Sequence, residues 1–373
     1  MKKIISSMSM FLTSILMFAQ APANYYNNAT GTGYTLKSQL KTIISANHNE
    51  LSYTPGLWNL YSSTSSNNGF RDKYYENDNT ILDIYTEKPS GVDTYNFTVI
   101  TDQCGNYSSE GDCYNREHLI PQSYFDEQLP MKTDAFHVWP TDGKINGIRG
   151  NEPFATVGYV NPNSVNVSSN GSKFGQSTLE GYTGNAFEPI DEFKGDIARA
   201  FFYFATRYED DMDLFYEENP SVGTRVMFDG TTNKVFADNF LNMLYEWHIN
   251  DPVSLREINI NNHVYTNQGN RNPFIDNPIY VELIWQTVLN NENFNSISFN
   301  MYPNPTKTGI VNIETSEDIS KITVHSIDGK LIQQEINPSF IDNQLQITNL
   351  SSGVYLITLL ANQKSTIKKL IVK

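Results

Sequence analysis

Cysteine is almost missing from this chain: 373 residues hold two, Cys104 and Cys113. That excludes a disulfide-dense scaffold, and the pair lacks the CxxC spacing of a thiolate metal site. Long apolar runs are equally scarce. One stretch, "IISSMSMFLTSILMF", follows Lys2 and Lys3 and precedes "AQA" at residues 19–21. A positive start, an apolar middle and a small-residue end read as a secretory signal peptide over residues 1–21 rather than a membrane anchor. Nothing after it approaches transmembrane length. Basic side chains are in deficit too, 26 against 41 acidic ones, for a net charge of −15. The deficit is concentrated: residues 22–292 carry 17 basic and 35 acidic groups, whereas residues 293–373 are close to neutral. A body this acidic disfavours broad charge-driven attraction to a polyphosphate chain, so such a ligand has to be held by a few basic groups or a bound cation.

What is present is ample material for packed cores, 39% hydrophobic and 13% aromatic, over a length that suits two domains. An exported protein meets an oxidising compartment, and the loop "CGNYSSEGDC" is short, so Cys104 and Cys113 are expected to form a disulfide. Helical spacing marks "YTLKSQLKTIISANH", with Thr35 as its cap, and "IDEFKGDIARAFFYFATRYEDD", whose acidic end the helix dipole disfavours. It marks "ADNFLNMLYEWH" and, after the pair Asn277-Pro278, "NPIYVELIWQTVL" as well. Between Val157 and Asn185 a stretch dense in Gly, Ser and Asn reads as loops or short edge strands. Composition changes near residue 290. After the linker "NNENFNSISFN" come short alternating runs split by turns such as Asp328-Gly329 and Ser352-Gly353. Six or seven strands over about 80 residues make a small all-β sandwich.

Chemistry concentrates in two clusters, "CYNREHLIPQSYF" (113–125) and "DAFHVWPTDGKINGIRGNEPF" (134–154). Together they hold Glu117, His118, Asp134, His137, Asp142, Asn146, Arg149 and Asn151. Thr141 or Asp142 can cap a short helix from about Gly143, which places Asp142, Asn146 and Arg149 on one face. Gly143, Gly147 and Gly150 are poor helix formers there and imply a close approach to the backbone. Glu117 and Asn146 offer two hard oxygens, a sparse set that suits Mg²⁺, with Mn²⁺ or Ca²⁺ as alternatives. His118 is then free to act as general base on a water. Strand alternation opposes the pairing of Glu117 with His118 unless they sit at a strand end or twist, and Pro121 allows an early end. His137 reads as a structural histidine, and His48, His248, His263 and His325 stand alone. Tyr114 and Trp139 read as core.

These clusters resemble the endonuclease I family of secreted bacterial nucleases, a branch of the ββα-metal (His-Me finger) enzymes. "EFKGDIARAFFYFATRYE" and "DPVSLREININNHVYTNQGNRNPFID" carry the same resemblance, so it spans roughly residues 25–287. It implies an α+β body around a ββα core with surrounding helices. By position it makes His118 the general base and Glu117 and Asn146 the metal ligands. The expected reaction is sequence-indifferent hydrolysis of DNA or RNA that leaves 5′-phosphates. Some members carry a transition-state arginine between the two clusters; residues 119–143 offer only Lys132, so Arg149, Arg116 or Arg271 has to substitute. Arg271 can equally pack the chain end, and Asn151 is a further candidate substrate contact. The tail pieces "YPNP", "SIDGKLI", "NLSSGVYLITL" and "KKLIVK" resemble the C-terminal sorting domain of type IX secretion. The expected divisions are therefore a signal peptide (1–21), a catalytic domain (22–292) and a sorting domain (293–373). The expected setting is the cell surface or exterior, with the secretion machinery as partner and no stable membrane span. The other readings are an inactive, nuclease-like adhesin or polyanion-binding module, and a phosphatase of small esters.

Overall fold

Residue spacing and capping set the helices of the body, and one apolar helix organises the others. The computed structural model describes residues 21–158, 167–289, 299–326, 331–361 and 364–373. In chain order the body contains α1 (Gly33–Ser45), α2 (Gly56–Ser62), β1 (Tyr114–His118), β2 (Val138–Asp142) and α3 (Gly143–Arg149). Then come β3 (Lys173–Gln176), β4 (Asn185–Glu188), α4 (Lys194–Arg207), α5 (Met212–Glu218) and α6 (Asp238–Asn250). It closes with α7 (Leu255–Gln268), α8 (Pro273–Asp276) and α9 (Tyr280–Leu289). Helix α4 is buried around its whole circumference from Gly195 to Thr206. A helix apolar on most sides has to lie inside, and α1, α6 and α8 pack against it. Phe202 on α4 meets Phe236, Phe274 and Trp285, which brings α9 into the same core.

Two matched stretches meet in a buried ion network. Arg199 of "GDIARA" donates to both carboxylate oxygens of Glu257 and to Asp196, and Arg256 donates to Asp196 at 2.6 Å. Glu257 also closes a capping box with Ser254 at the start of α7. Buried charges hold together only when each is paired, and breaking one such pair costs about 3–5 kcal/mol. These stretches therefore act as scaffold.

Three helix boundaries differ from expectation. Helix α1 is entered at Thr32, without a side-chain cap, and Thr35 lies inside it. The entry is tied instead by Gln39 Oε1, which accepts the Thr30 and Gly31 N–H groups. Helix α4 ends at Arg207, and Glu209–Asp211 form a separate 3₁₀ turn. The acids thus lie outside the negative helix end while a cation occupies its last turn, which removes the expected dipole conflict. Asn277 terminates α8, so α9 starts only at Tyr280.

The stretch after Val157 supplies the antiparallel pair β3–β4, with residues 159–166 outside the description. The described residues of the tail form seven strands: β5 (Asn300–Tyr302), β6 (Val311–Glu314), β7 (Lys321–Ser326), β8 (Leu331–Ile336), β9 (Gln344–Ile347), β10 (Gly353–Ala361) and β11 (Lys364–Val372). They make one sheet of order β5-β6-β9 and another of order β11-β10-β7-β8. Val311, Ile313, Ile322, Val324, Ile357 and Leu370 form the core between them. Most of the expected signal peptide, most of the linker near residue 290 and the Asp328-Gly329 turn lie outside the described residues. Among the described residues no helix is long and apolar enough to cross a membrane.

Candidate active site

Strands β1 and β2 pair antiparallel from Tyr114↔Asp142 to His118↔Val138, and α3 follows β2 without a connecting residue. Asp142 makes that abrupt turn possible. One of its oxygens accepts the Ile145 N–H and caps α3; the other accepts the Gly111 N–H from the Cys104–Cys113 loop. The two cysteines are bonded, with Cα atoms 5.7 Å apart. Gly143 donates to the Cys113 carbonyl, so the loop is joined to the start of the helix as well as to β1. The close approach foreshadowed by the helix glycines comes from this loop. A Cβ on Gly147 would lie 2.0 Å from the Tyr107 hydroxyl, and one on Gly143 2.8 Å from its ring.

Alternation along β1 directs Asn115 and Glu117 to the α3 side, where two helix residues meet them. Asn146 Nδ2 donates to Asn115 Oδ1 at 2.7 Å, and Arg149 Nη1 donates to Glu117 Oε1 at 3.1 Å. Tyr85 donates to the same Glu117 oxygen at 2.9 Å. Glu117 is 1% exposed, and burial pushes its carboxyl up to about 7 against the opposing pull of Arg149 and Tyr85. Arg149 is equally buried. It also holds the carbonyls of His118 and Leu119, at 2.9 and 2.7 Å, and reaches Thr224.

The opposite side of β1 carries Arg116 and His118. His118 Nε2 lies 3.1 Å from the Lys132 carbonyl. A carbonyl only accepts, so Nε2 holds the proton and Nδ1 keeps the lone pair. Burial, reinforced by the neighbouring His137, lowers the imidazole to about 3. It is therefore neutral at ordinary pH. Arg116 donates to the Tyr53 carbonyl and to Thr54 Oγ1, and its guanidinium lies 3.5 Å from the Tyr53 ring centre and 4.3 Å from that of Trp58. The Lys132 ammonium also approaches Tyr53, and the His118 ring stacks beside it.

The remaining candidates lie elsewhere or serve the fold. Arg271 is 2% exposed and grips Asp276 with two bonds of 2.7 Å. Asn151 is exposed, and its carbonyl accepts the Thr224 N–H. His137 is fully buried and donates to the Met131 carbonyl. Asp134 is buried beneath bonds from Tyr203, Tyr208 and Gln268. Tyr114 and Trp139 are core. A cavity of about 760 Å³ between α6, α7 and the tail sheet, lined by His248, Glu282 and Lys321, contains none of the clustered residues.

Sequence reading missed Asn115, Tyr53, Trp58 and Tyr85. Parity with Glu117 on the strand was the available signal for Asn115; Tyr53, Trp58 and Tyr85 left none, because they arrive from distant segments.

Residues 32–279 match the Endonuclease I family model, and residues 300–373 match the secretion system C-terminal sorting domain. An extracellular ribonuclease of Bacillus subtilis (strain 168) is 32% identical over 287 residues, 73% of this chain and 84% of its own. One from Bacillus amyloliquefaciens is 33% identical over 270 residues, 70% of this chain and 78% of its own. Among solved structures, the sulfur carrier protein SoxY from Chlorobium limicola covers 21% of this chain and 75% of its own, at 14% identity and a TM-score of 0.16, a likeness too slight to define a fold. The chain belongs to the endonuclease I family: it is a secreted or cell-surface nuclease that carries a C-terminal sorting domain of the type IX kind.

Proposed function

We propose that the body is a divalent-metal-dependent endonuclease that cuts phosphodiester bonds inside DNA or RNA, without sequence preference, and leaves 5′-phosphates. The observation that supports this best is the placement of His118: its Nε2 proton is held by the Lys132 carbonyl at 3.1 Å, which leaves the Nδ1 lone pair available. Nδ1 takes the proton of the attacking water. A positioned general base of this kind contributes about 10²–10⁴-fold. The ribonuclease names of the two Bacillus relatives favour RNA among the substrates.

The donor set fits a hard cation. Asn146 gives its amide N–H to Asn115 and keeps its carbonyl oxygen, while Glu117 engages Oε1 and has no hydrogen bond at Oε2 among the described residues. Mg²⁺ held there, or Mn²⁺ or Ca²⁺ in its place, supplies positive charge against the charge that develops on the phosphate. We assign Arg116 to the phosphate, because it is half-buried on the same side of β1 as His118 and, among the described residues, only its Nη1 is engaged in hydrogen bonds. Arg149 is a positioning residue that orients Glu117 and the end of β1. Asn151, exposed just beyond α3, is a substrate contact, and Arg271 belongs to the fold. We further assign residues 22–292 to the catalytic unit and residues 293–373 to export, with the secretion machinery as partner.

Incubation of purified residues 22–292 with supercoiled plasmid and with RNA, with and without EDTA, tests the reading. Nicking of the closed circle that EDTA abolishes is the expected result. Inertness with Mg²⁺, Mn²⁺ and Ca²⁺ alike would establish a binding module instead.

A further inference from the structure

A second group of carboxylates lies outside the nuclease site, in the segment between α2 and β1. Ligand oxygens of Glu76, Glu87 and Asp93 all lie within 4.8 Å of one another. Glu87 is 1% exposed, and Glu76 and Asp93 are half-buried. Glu87 Oε1 and Glu76 Oε2 are buried with no hydrogen-bond partner among the described residues. Cations nearby in sequence turn elsewhere: Lys88 to Thr94, Lys73 to the Ser65 carbonyl, and Arg71 to the carbonyls of Ser62 and Asn79. A fourth carboxylate, Asp72, adds negative charge while its own oxygens accept the N–H groups of Tyr74, Tyr75 and Asp78.

Asp93 Oδ1 accepts the Lys88 N–H at 2.7 Å, but Glu87 Oε1 and Glu76 Oε2 face the other carboxylates with no donor on them among the described residues, and carboxylates so placed require a counter-charge. We propose that Glu76, Glu87 and Asp93 hold a structural Ca²⁺ ion, separate from the site at Glu117 and Asn146. The donor chemistry selects the ion. Three carboxylates offer as many as six oxygens in flexible loop geometry, which suits Ca²⁺; Mg²⁺ prefers one or two carboxylates plus waters, and Zn²⁺ recruits nitrogen and sulfur.

The position gives the ion a task. Glu87 N–H donates to the Asp83 carbonyl and Tyr85 N–H to Asp83 Oδ1, which forms one tight turn from 83 to 87. Tyr85, in the middle of that turn, holds Glu117. A cation on Glu87 therefore clamps the loop that orients a residue of the nuclease site.

Thermal melting and calorimetric titration of the mature chain with CaCl₂ test the proposal without a nuclease readout. The melting temperature of the parent is expected to climb with Ca²⁺ into the millimolar range, as for other weak extracellular sites. Glu117→Gln keeps that rise. Glu87→Gln and Asp93→Asn lose it and bind one fewer equivalent of Ca²⁺. Should Glu87→Gln fail to fold, the half-buried Glu76→Gln serves in its place. A parent melting temperature indifferent to Ca²⁺, or an undiminished rise in the folded carboxylate variants, overturns the proposal. So does a cluster that is stabilised only by lowering the pH, since a shared proton then supplies the counter-charge.

Discussion

The Tyr85 hydroxyl donates to Glu117 Oε1 at 2.9 Å, joining a loop residue to a strand residue 32 positions away. Arg149 shares that oxygen, so Glu117 is held from two sides with Oε2 left over. Tyr85→Phe keeps the packing against Phe187 but removes one bond to the carboxylate. Partners of metal ligands typically contribute 10–100-fold in affinity, so calorimetry should find Mg²⁺ binding weakened by about that factor. Unchanged affinity would place the metal away from Glu117.

The two neighbours on β1 should separate on mutation. His118→Ala is expected to lower turnover by about 10²–10⁴-fold while metal binding persists. Glu117→Ala is expected to weaken metal affinity, with partial recovery in excess Mg²⁺. Metal titration of both variants is the check, and the reverse pattern would exchange their roles.

The acid limb of the pH–rate profile should follow Glu117. Its carboxyl lies near 7 and has to lose its proton before it can hold a cation, whereas His118, near 3, is already neutral across that range. Metal competes with the proton, so raising Mg²⁺ should move the limb from about 7 toward lower pH. Rate profiles at several Mg²⁺ concentrations decide this. A limb that stays fixed belongs to another group.

Mild reduction of the Cys104–Cys113 bond should slow the enzyme before it unfolds the body. The loop reaches both β1 and α3, through Cys113, Gly111 and Tyr107, and a misplacement of about an ångström can reduce rate 10²-fold. Peptide mapping under non-reducing conditions should first identify the bond in secreted material. Nuclease rate and helical circular dichroism are then followed together. A rate that survives reduction removes the loop from any positioning role.

Deletion of residues 293–373 should leave specific activity and melting temperature of the body nearly unchanged while abolishing surface release in the native host. The tail has a core of its own, and every residue of the candidate site lies in the body. A large fall in melting temperature would show that the sheets support the catalytic fold.

Much of the site was legible because its residues are local in sequence. Capping and helical spacing placed Asp142, Asn146 and Arg149 on one short helix, and the structure has that helix at Gly143–Arg149. Alternation opposed bringing Glu117 and His118 to one face, and the early strand end expected at Pro121 does not overcome it: one turns to Tyr85 and Arg149, the other to Tyr53 and Lys132. The helix starts were less legible. Thr35 and Asn277 have the right chemistry for N-caps, but the first lies inside α1 and the second terminates α8.

By itself the sequence separated an acidic, aromatic-rich body from a nearly neutral tail of six or seven short strands, and it supplied the residues proposed to bind a cation and move a proton. These follow from composition and from periods of two and 3.6, which are properties of neighbouring residues. Tertiary structure decided which nitrogen of His118 carries the proton, that Arg149 and Arg271 are committed to carboxylates, and that Arg116 lies against the rings of Tyr53 and Trp58. Each of these depends on groups brought from other segments, and on burial, which is the largest cause of the upward shift of Glu117 and the downward shift of His118. Spacing along a chain carries no record of such contacts, because they arise only when the folded body removes those groups from water.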